Sequence, residues 1–155
     1  MPDLVMAKEL ETSAAGGIFF AGSLPNFFEA ADALAAKQAC RRKNALLHAR
    51  SYEIDEGDLL ELARAGGALI FSLSDILPES GFRRSILLSK MRLALAACRR
   101  RGTGFVACSL AKNANEMRSA RDLSAFAAVL GMADVERKQA GITLEKLTGG
   151  AKVEK

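Results

Sequence analysis

Between positions 83 and 121 stand ten lysines and arginines: Arg83, Arg84, Lys90, Arg92, Arg99, Arg100, Arg101, Lys112, Arg118 and Arg121. They face one acid, Glu116. This segment carries +9 in a chain whose net charge is +4, so the remainder sums to −5. The acids gather between Glu53 and Glu61 and in the N-terminal region. Such asymmetry within one chain points to a polyanion met by one face. Arginine suits that role, because its planar guanidinium grips a phosphate through two parallel hydrogen bonds. The plain alternative is a solvated basic surface. Arg99, Arg100 and Arg101 also fit the negative dipole end of a helix, whereas Arg83 and Arg84 lie at the wrong end for that effect. A smaller basic cluster is Arg41-Arg42-Lys43.

Other chemistry is thin. His48 is the only imidazole, and a lone histidine fits a hydrogen-bonded structural role better than acid–base catalysis. Glu53, Asp55, Glu56 and Asp58 suit either a hard cation or an ordinary helix start. Cys40, Cys98 and Cys108 form no CxxC pair. They read as small buried hydrophobes in a reducing compartment, and with one histidine they argue against zinc. No GxGxxG, GxxxxGK[ST] or GxSxG motif is present. Eight Phe, one Tyr and no Trp, mostly within apolar runs, offer little material for base stacking, so a nucleic acid would be held by its backbone.

These residues need elements to hold them. With 155 residues, 50% apolar and 26% charged, the chain reads as one domain over 1–155 with a real core. No run approaches the roughly 20 apolar residues of a membrane helix, and Met1-Pro2-Asp3 opens no signal peptide. Strands are expected at Ile18–Ala21, Ala45–Ala49, Ala68–Leu73 and Gly104–Ser109, with a further one at Leu4–Met6. Asn26 is expected to cap a helix running to about Gln38, with Glu29 as its capping-box partner. Further helices are expected at Glu56–Ala65, at Arg83–Arg101, from the Ser119 cap to the Gly131 stop, and at one end of Val135–Leu147. Alternation of apolar strands with helices implies an α/β fold with a parallel sheet. The chain is long enough for about half of an eight-fold barrel.

On a helical wheel of Arg83–Arg101, Leu87, Leu88, Met91, Ala94, Leu95 and Cys98 share the core arc. Arg83, Lys90 and Arg101 border it on one side, Arg92 and Arg99 on the other. The loop Lys112–Arg118 leaves the C-terminal end of a parallel strand, where such sheets place their sites. The Ser119 helix start favours an anion, and Lys112, Arg118 and Arg121 surround it. Asp122 reads both as the capping partner of Ser119 and as an ion-pair partner that orients Arg118.

Taken together, Arg84-Ser-Ile-Leu-Leu-Ser-Lys-Met-Arg92, the strand Phe105–Ser109, Met117-Arg-Ser-Ala-Arg-Asp-Leu123 and Leu130-Gly-Met132 resemble protein component 3 of archaeal ribonuclease P, the family of the thirty-kilodalton eukaryotic subunit. The match is specific over 68–132 and looser over 18–67, where Leu46-Leu47-His48 resembles a family strand ending in histidine. Ala120 stands where the family has proline, and Ile54 and about Leu60 where it has a basic residue and a histidine. The resemblance implies a shortened member that keeps the second half of a barrel related to the polymerase and histidinol phosphatase hydrolases, with residues 18–132 as its βα core. It implies a cytoplasmic ribonucleoprotein that removes 5′ leaders from precursor tRNA, in which RNA is the catalyst and magnesium belongs to the RNA. No cofactor is expected on the protein. The implied partners are the ribonuclease P RNA, precursor tRNA within the complex and a small ferredoxin-like protein subunit. The residues that resemble the family's functional positions are Arg84, Arg92, Arg118 and Asp122, with Lys112 and His48 beside them. Charge and placement add Lys90 and Arg121. The expected RNA-binding set is therefore Arg84, Lys90, Arg92, Lys112, Arg118 and Arg121, supported by Asp122 and His48. Two other classes fit the residues: a small phosphate-binding α/β enzyme, and a structural assembly protein that pairs through an open sheet edge.

Overall fold

The computed structural model describes residues 2–6 and 18–149. Four parallel strands lie side by side in chain order: β3 (Phe27–Ala30), β4 (Leu46–Ala49), β5 (Ala68–Ser72) and β6 (Gly104–Cys108). Two short strands, β1 (Asp3–Val5) and β2 (Ile18–Phe20), pair in parallel with each other. Five helices alternate with or follow these strands: α1 (Ala33–Cys40), α2 (Glu56–Arg64), α3 (Gly81–Arg101), α4 (Ala120–Leu130) and α5 (Asp134–Leu147). The expected α/β architecture with parallel strands is therefore present. No helix among the described residues is long and apolar enough to cross a membrane.

The central strands β4 and β5 are buried on both faces, which is why they are apolar apart from His48 and Ser72. Side chains alternate along each strand. Leu47, Leu69, Phe71 and Ala107 point one way, into a core shared with Leu59 and Leu62 of α2, Met91 and Leu95 of α3, and Phe126 and Leu130 of α4. Leu46, Ile70, Val106 and Cys108 point the other way, onto Leu4 of β1 and Leu144 and Leu147 of α5. Gly67 lets β5 start close to its neighbours: a Cβ there would stand 2.6 Å from the Ala45 carbonyl and 2.4 Å from Leu62 Cδ1.

Two expectations need correction. Residues 27–30 are a strand, not the first turn of a helix capped by Asn26. Phe27 and Phe28 face opposite cores, and the segment pairs in register with β4, Phe27 opposite Leu46 and Ala30 opposite Ala49. Asn26 instead donates through Nδ2 to the carbonyls of Asn44 and Leu147, both at 2.8 Å. Asp32 is the true cap, accepting from the Ala35 N–H at 2.8 Å. The second correction is α5, which is helical along its whole length. Glu136 accepts from the Ala133 N–H at its start, and Leu144 and Leu147 bury its far end.

Asp3 ties β1 to the chain just past β6. Its carboxyl accepts from Ser109 N–H and Oγ–H, both at 2.6 Å, while Leu110 N–H donates to the Leu4 carbonyl at 2.8 Å. Burial raises the Asp3 pKa above the ordinary carboxyl value, against the lowering effect of these hydrogen bonds. A carboxyl raised by folding binds more protons folded than unfolded. Its contribution to stability is thus full below its unfolded pKa and declines as pH rises through the folded one. The stability of the natural chain relative to Asp3→Asn is expected to increase as pH falls through that window, by at most about 1.4 kcal/mol per pH unit. Urea unfolding of both proteins across acidic and neutral pH measures it; a pH-independent difference contradicts this role of Asp3.

Candidate nucleic-acid interface

The long helix α3 positions most of the basic residues. Its core arc is as the wheel requires: Met91, Ala94, Leu95 and Cys98 are buried, with Leu87 and Leu88 packed at the edge. Gly102, at φ 67°, ends it in the left-handed region. The two basic borders then face different neighbours and have different fates.

On the flank toward α2 three of the four basic side chains of α3 are paired with carboxylates, Arg83 being the exception. Lys90 Nζ lies 2.8 Å from Glu53 Oε1. Arg100 and Arg101 share Glu56, at 2.5 and 2.9 Å. Hydrogen bonding from Arg100 is the main cause that holds the Glu56 carboxyl below its ordinary pKa. Arg83 lies higher on this flank, in a groove with Arg50, Glu79 and Lys90. At the base of the opposite flank Arg99 is also paired: it donates to both oxygens of Glu136 and to the Gly131 carbonyl. That pairing raises the Arg99 pKa and lowers that of Glu136.

The upper part of the flank toward α4 differs. Arg84 donates through Nε to the Glu79 carbonyl at 2.7 Å. Arg92 donates twice to the Val129 carbonyl, at 2.9 and 3.1 Å. Arg118 donates through one terminal nitrogen to the carbonyls of Asn115 and Met117, at 2.7 and 2.8 Å. Each guanidinium is fixed by neutral backbone oxygen and keeps its charge uncompensated; among the described residues none of the three forms an ion pair. Arg84 and Arg118 line one groove with Leu73, Ile76, Leu77, Leu88, Phe126 and Val129. Lys112 and Arg121 are exposed, in the loop after β6 and in the first turn of α4.

Asp122 also lines this groove, and its bonding is that of a cap. Its Oδ2 accepts from Ser119 N–H and Oγ–H, and Ser119 Oγ accepts from the Asp122 N–H: the expected capping box. The expected pairing with Arg118 is not made, because Arg118 is turned to its own loop carbonyls. The helix start is therefore already occupied by a carboxylate.

His48 belongs to a network at the C-terminal edge of the sheet. Its Nε2 lies 2.7 Å from Asp75 Oδ2, which also accepts from Tyr52 Oη–H at 2.5 Å. Tyr52 Oη in turn accepts from the Ser72 N–H at 3.0 Å. The carboxyl of Asp75 fixes the tautomer, with the proton on Nε2. Among the described residues His48 Nδ1 has no hydrogen-bond partner; it is buried, 3.9 Å from Glu29 Oε1, which Arg50 holds at 2.7 Å. Tyr52 has φ 54°, in the left-handed region that an aromatic residue rarely adopts. Its ring, stacked on Phe71 at 5.7 Å, and its two hydroxyl bonds hold it there. Burial, and secondarily Asp75, push the Tyr52 pKa well up, so the phenol is a hydrogen-bond donor rather than an acid. Asp75 is the last residue of the short turn Leu73–Asp75, and that turn and the residues after it supply Leu73, Ile76 and Leu77 to the arginine groove. The network thus positions the floor of the groove.

Burial pushes the thiols of Cys40 and Cys98 up to about 12, and that of Cys108 well above the ordinary value, so all three are protonated and apolar in behaviour. Among the described residues no group of three His, Cys, Asp or Glu is arranged to hold a metal ion. Compared with known proteins, the chain matches no family model and no curated protein.

Proposed function

We propose that the chain is a non-catalytic, RNA-binding subunit of the ribonuclease P ribonucleoprotein, as its resemblance to protein component 3 implies. Its sheet is then a truncated barrel of the polymerase and histidinol phosphatase type. In support, β1 and β2 form a second parallel pair that is tied to the chain just past β6 by the Leu110–Leu4 hydrogen bond, and α5 packs on the sheet face opposite α2, α3 and α4. One observation carries the functional reading: Arg84, Arg92 and Arg118 lie along one seam, anchored and uncompensated, while Lys90, Arg99, Arg100 and Arg101 are paired with carboxylates. Arginines in the first condition meet phosphates at full charge; those in the second must first break an ion pair.

In this reading the seam, together with the exposed Lys112 and Arg121, neutralises phosphates of the catalytic RNA and holds one RNA conformation. The ferredoxin-like subunit assembles with it, precursor tRNA is met in the complex, and the setting is the cytoplasm. Reconstitution tests it. Adding the chain to the catalytic RNA and the ferredoxin-like subunit is expected to lower the magnesium needed for leader cleavage. An unchanged magnesium requirement with correctly folded protein contradicts the assignment.

A further inference from the structure

The seam between α3 and α4 has more than charge. Its groove holds about 420 Å³, with Ile76 and Phe126 almost wholly buried at the bottom and exposed Arg84 and half-buried Arg118 at the edge. Contact with a phosphate backbone alone needs no apolar recess. The volume lies at the small end of the range for ligand clefts, roughly 300–1,000 Å³. It is generous for an inorganic anion and too small for a duplex. Both guanidinium groups leave N–H donors unused, because Arg84 is anchored through Nε and Arg118 through one terminal nitrogen. The complementary ligand is an anion joined to a flat apolar body.

We propose that this groove takes one unstacked nucleotide from a bulge or single-stranded stretch of RNA. The base enters against Leu88, Ile76 and Phe126, and the flanking phosphates meet Arg84 and Arg118. This rests on the RNA-binding reading above and names what the same site selects. Unpaired bases recognised by proteins commonly leave their stack and lie on aromatic or guanidinium planes. Arg92, two turns further along α3 and about 12 Å away by helical rise, continues the charge in line. A row of this kind fits a polymer with repeated phosphates better than an acidic peptide.

The test uses the full chain and two RNAs: a short fully paired duplex, and the same duplex with one bulged 2-aminopurine. The bulged RNA is expected to bind about tenfold tighter, with a rise in 2-aminopurine fluorescence as the base leaves its stacked neighbours. Ala125→Trp fills the groove from an exposed position of α4, and Val129→Glu places a carboxylate at its exposed edge. Either substitution is expected to abolish the preference, and Ala125→Trp to leave salt-dependent duplex binding in place. Equal affinity for the two RNAs, with duplex binding intact, overturns this inference alone. Absence of salt-dependent binding to both overturns the RNA reading and this inference with it. An acidic amphipathic peptide that binds the natural chain but not Ala125→Trp, without any bulge preference, assigns the groove to a protein and also overturns it.

Discussion

Replacing Arg84 and Arg118 together with alanine is expected to lower affinity for the ribonuclease P RNA about a hundredfold at moderate salt, each single change about tenfold. The two side chains come from different elements, one from the first turn of α3 and one from the loop before α4, yet they line one groove. Their anchors are backbone carbonyls, so they lose little rotamer freedom on binding and have no carboxylate to release. Each then forms a charge-assisted contact with phosphate, at about 1.5–3 kcal/mol for a hydrogen bond to a charged group. Arg100→Ala and Arg101→Ala are the matched controls. They remove the same charge from the same helix, but from side chains already held by Glu56. Their effect on affinity is expected to stay within about threefold, the scale of an exposed, screened charge. Equilibrium binding with the four variants separates the accounts: equal losses at all four positions would mean that only net charge matters.

Asp75→Ala is expected to lower the stability of the protein by about 2–4 kcal/mol. The carboxyl receives His48 Nε2–H and Tyr52 Oη–H, and both donors lie in nearly closed surroundings. Alanine leaves the two donors unpaired and unties the Leu73–Asp75 turn from His48 and Tyr52. It also loosens a strained residue, since the Tyr52 hydroxyl bonds help to hold its backbone at φ 54°. Tyr52→Phe retains the ring stack on Phe71 and is expected to lose less, about 1–2 kcal/mol, through the orphaned Ser72 N–H. Denaturant unfolding of the two variants gives both values. A loss below that of Tyr52→Phe would show that Asp75 is not the centre of the network. Because Ile76 and Leu77 follow the turn directly, Asp75→Ala is also expected to weaken RNA binding under conditions where the variant remains folded.

Much of the frame was legible from local pattern. The apolar runs at 46–49, 68–72 and 104–108, the Ser119 cap and the Gly131 stop are all short-range signals, and each is where the residues imply. The two borders of α3 were legible too: Lys90 and Arg101 do face α2, and Arg92 and Arg99 do face the α4 side. Strand β3 was not, because Asn26 and Glu29 imitate a capping box, and the choice was made by pairing with β4, a partner that local reading does not weigh. The pairing state of the arginines was equally hidden. Glu56 lies 44 residues before Arg100, and Glu136 lies 37 after Arg99, so no spacing rule joins them. The same holds for Asp75, which reaches His48 and Tyr52 only because the neighbouring parallel strands β4 and β5 end at the same edge. Of the six candidate RNA contacts, the structure brings Arg84, Arg92 and Arg118 to one seam, leaves Lys112 and Arg121 exposed outside the groove lining, and turns Lys90 to the other flank.

The most direct measurement of the central claim is the salt dependence of RNA binding by the natural chain and by the Arg84→Ala/Arg118→Ala variant. If these guanidinium groups displace counterions from phosphates, log affinity falls linearly with log salt for the natural chain, and the slope of the double variant is shallower by about two. Parallel lines for the two proteins, or a natural-chain affinity that does not change with salt, would mean that the anchored arginine seam is not where the RNA backbone binds.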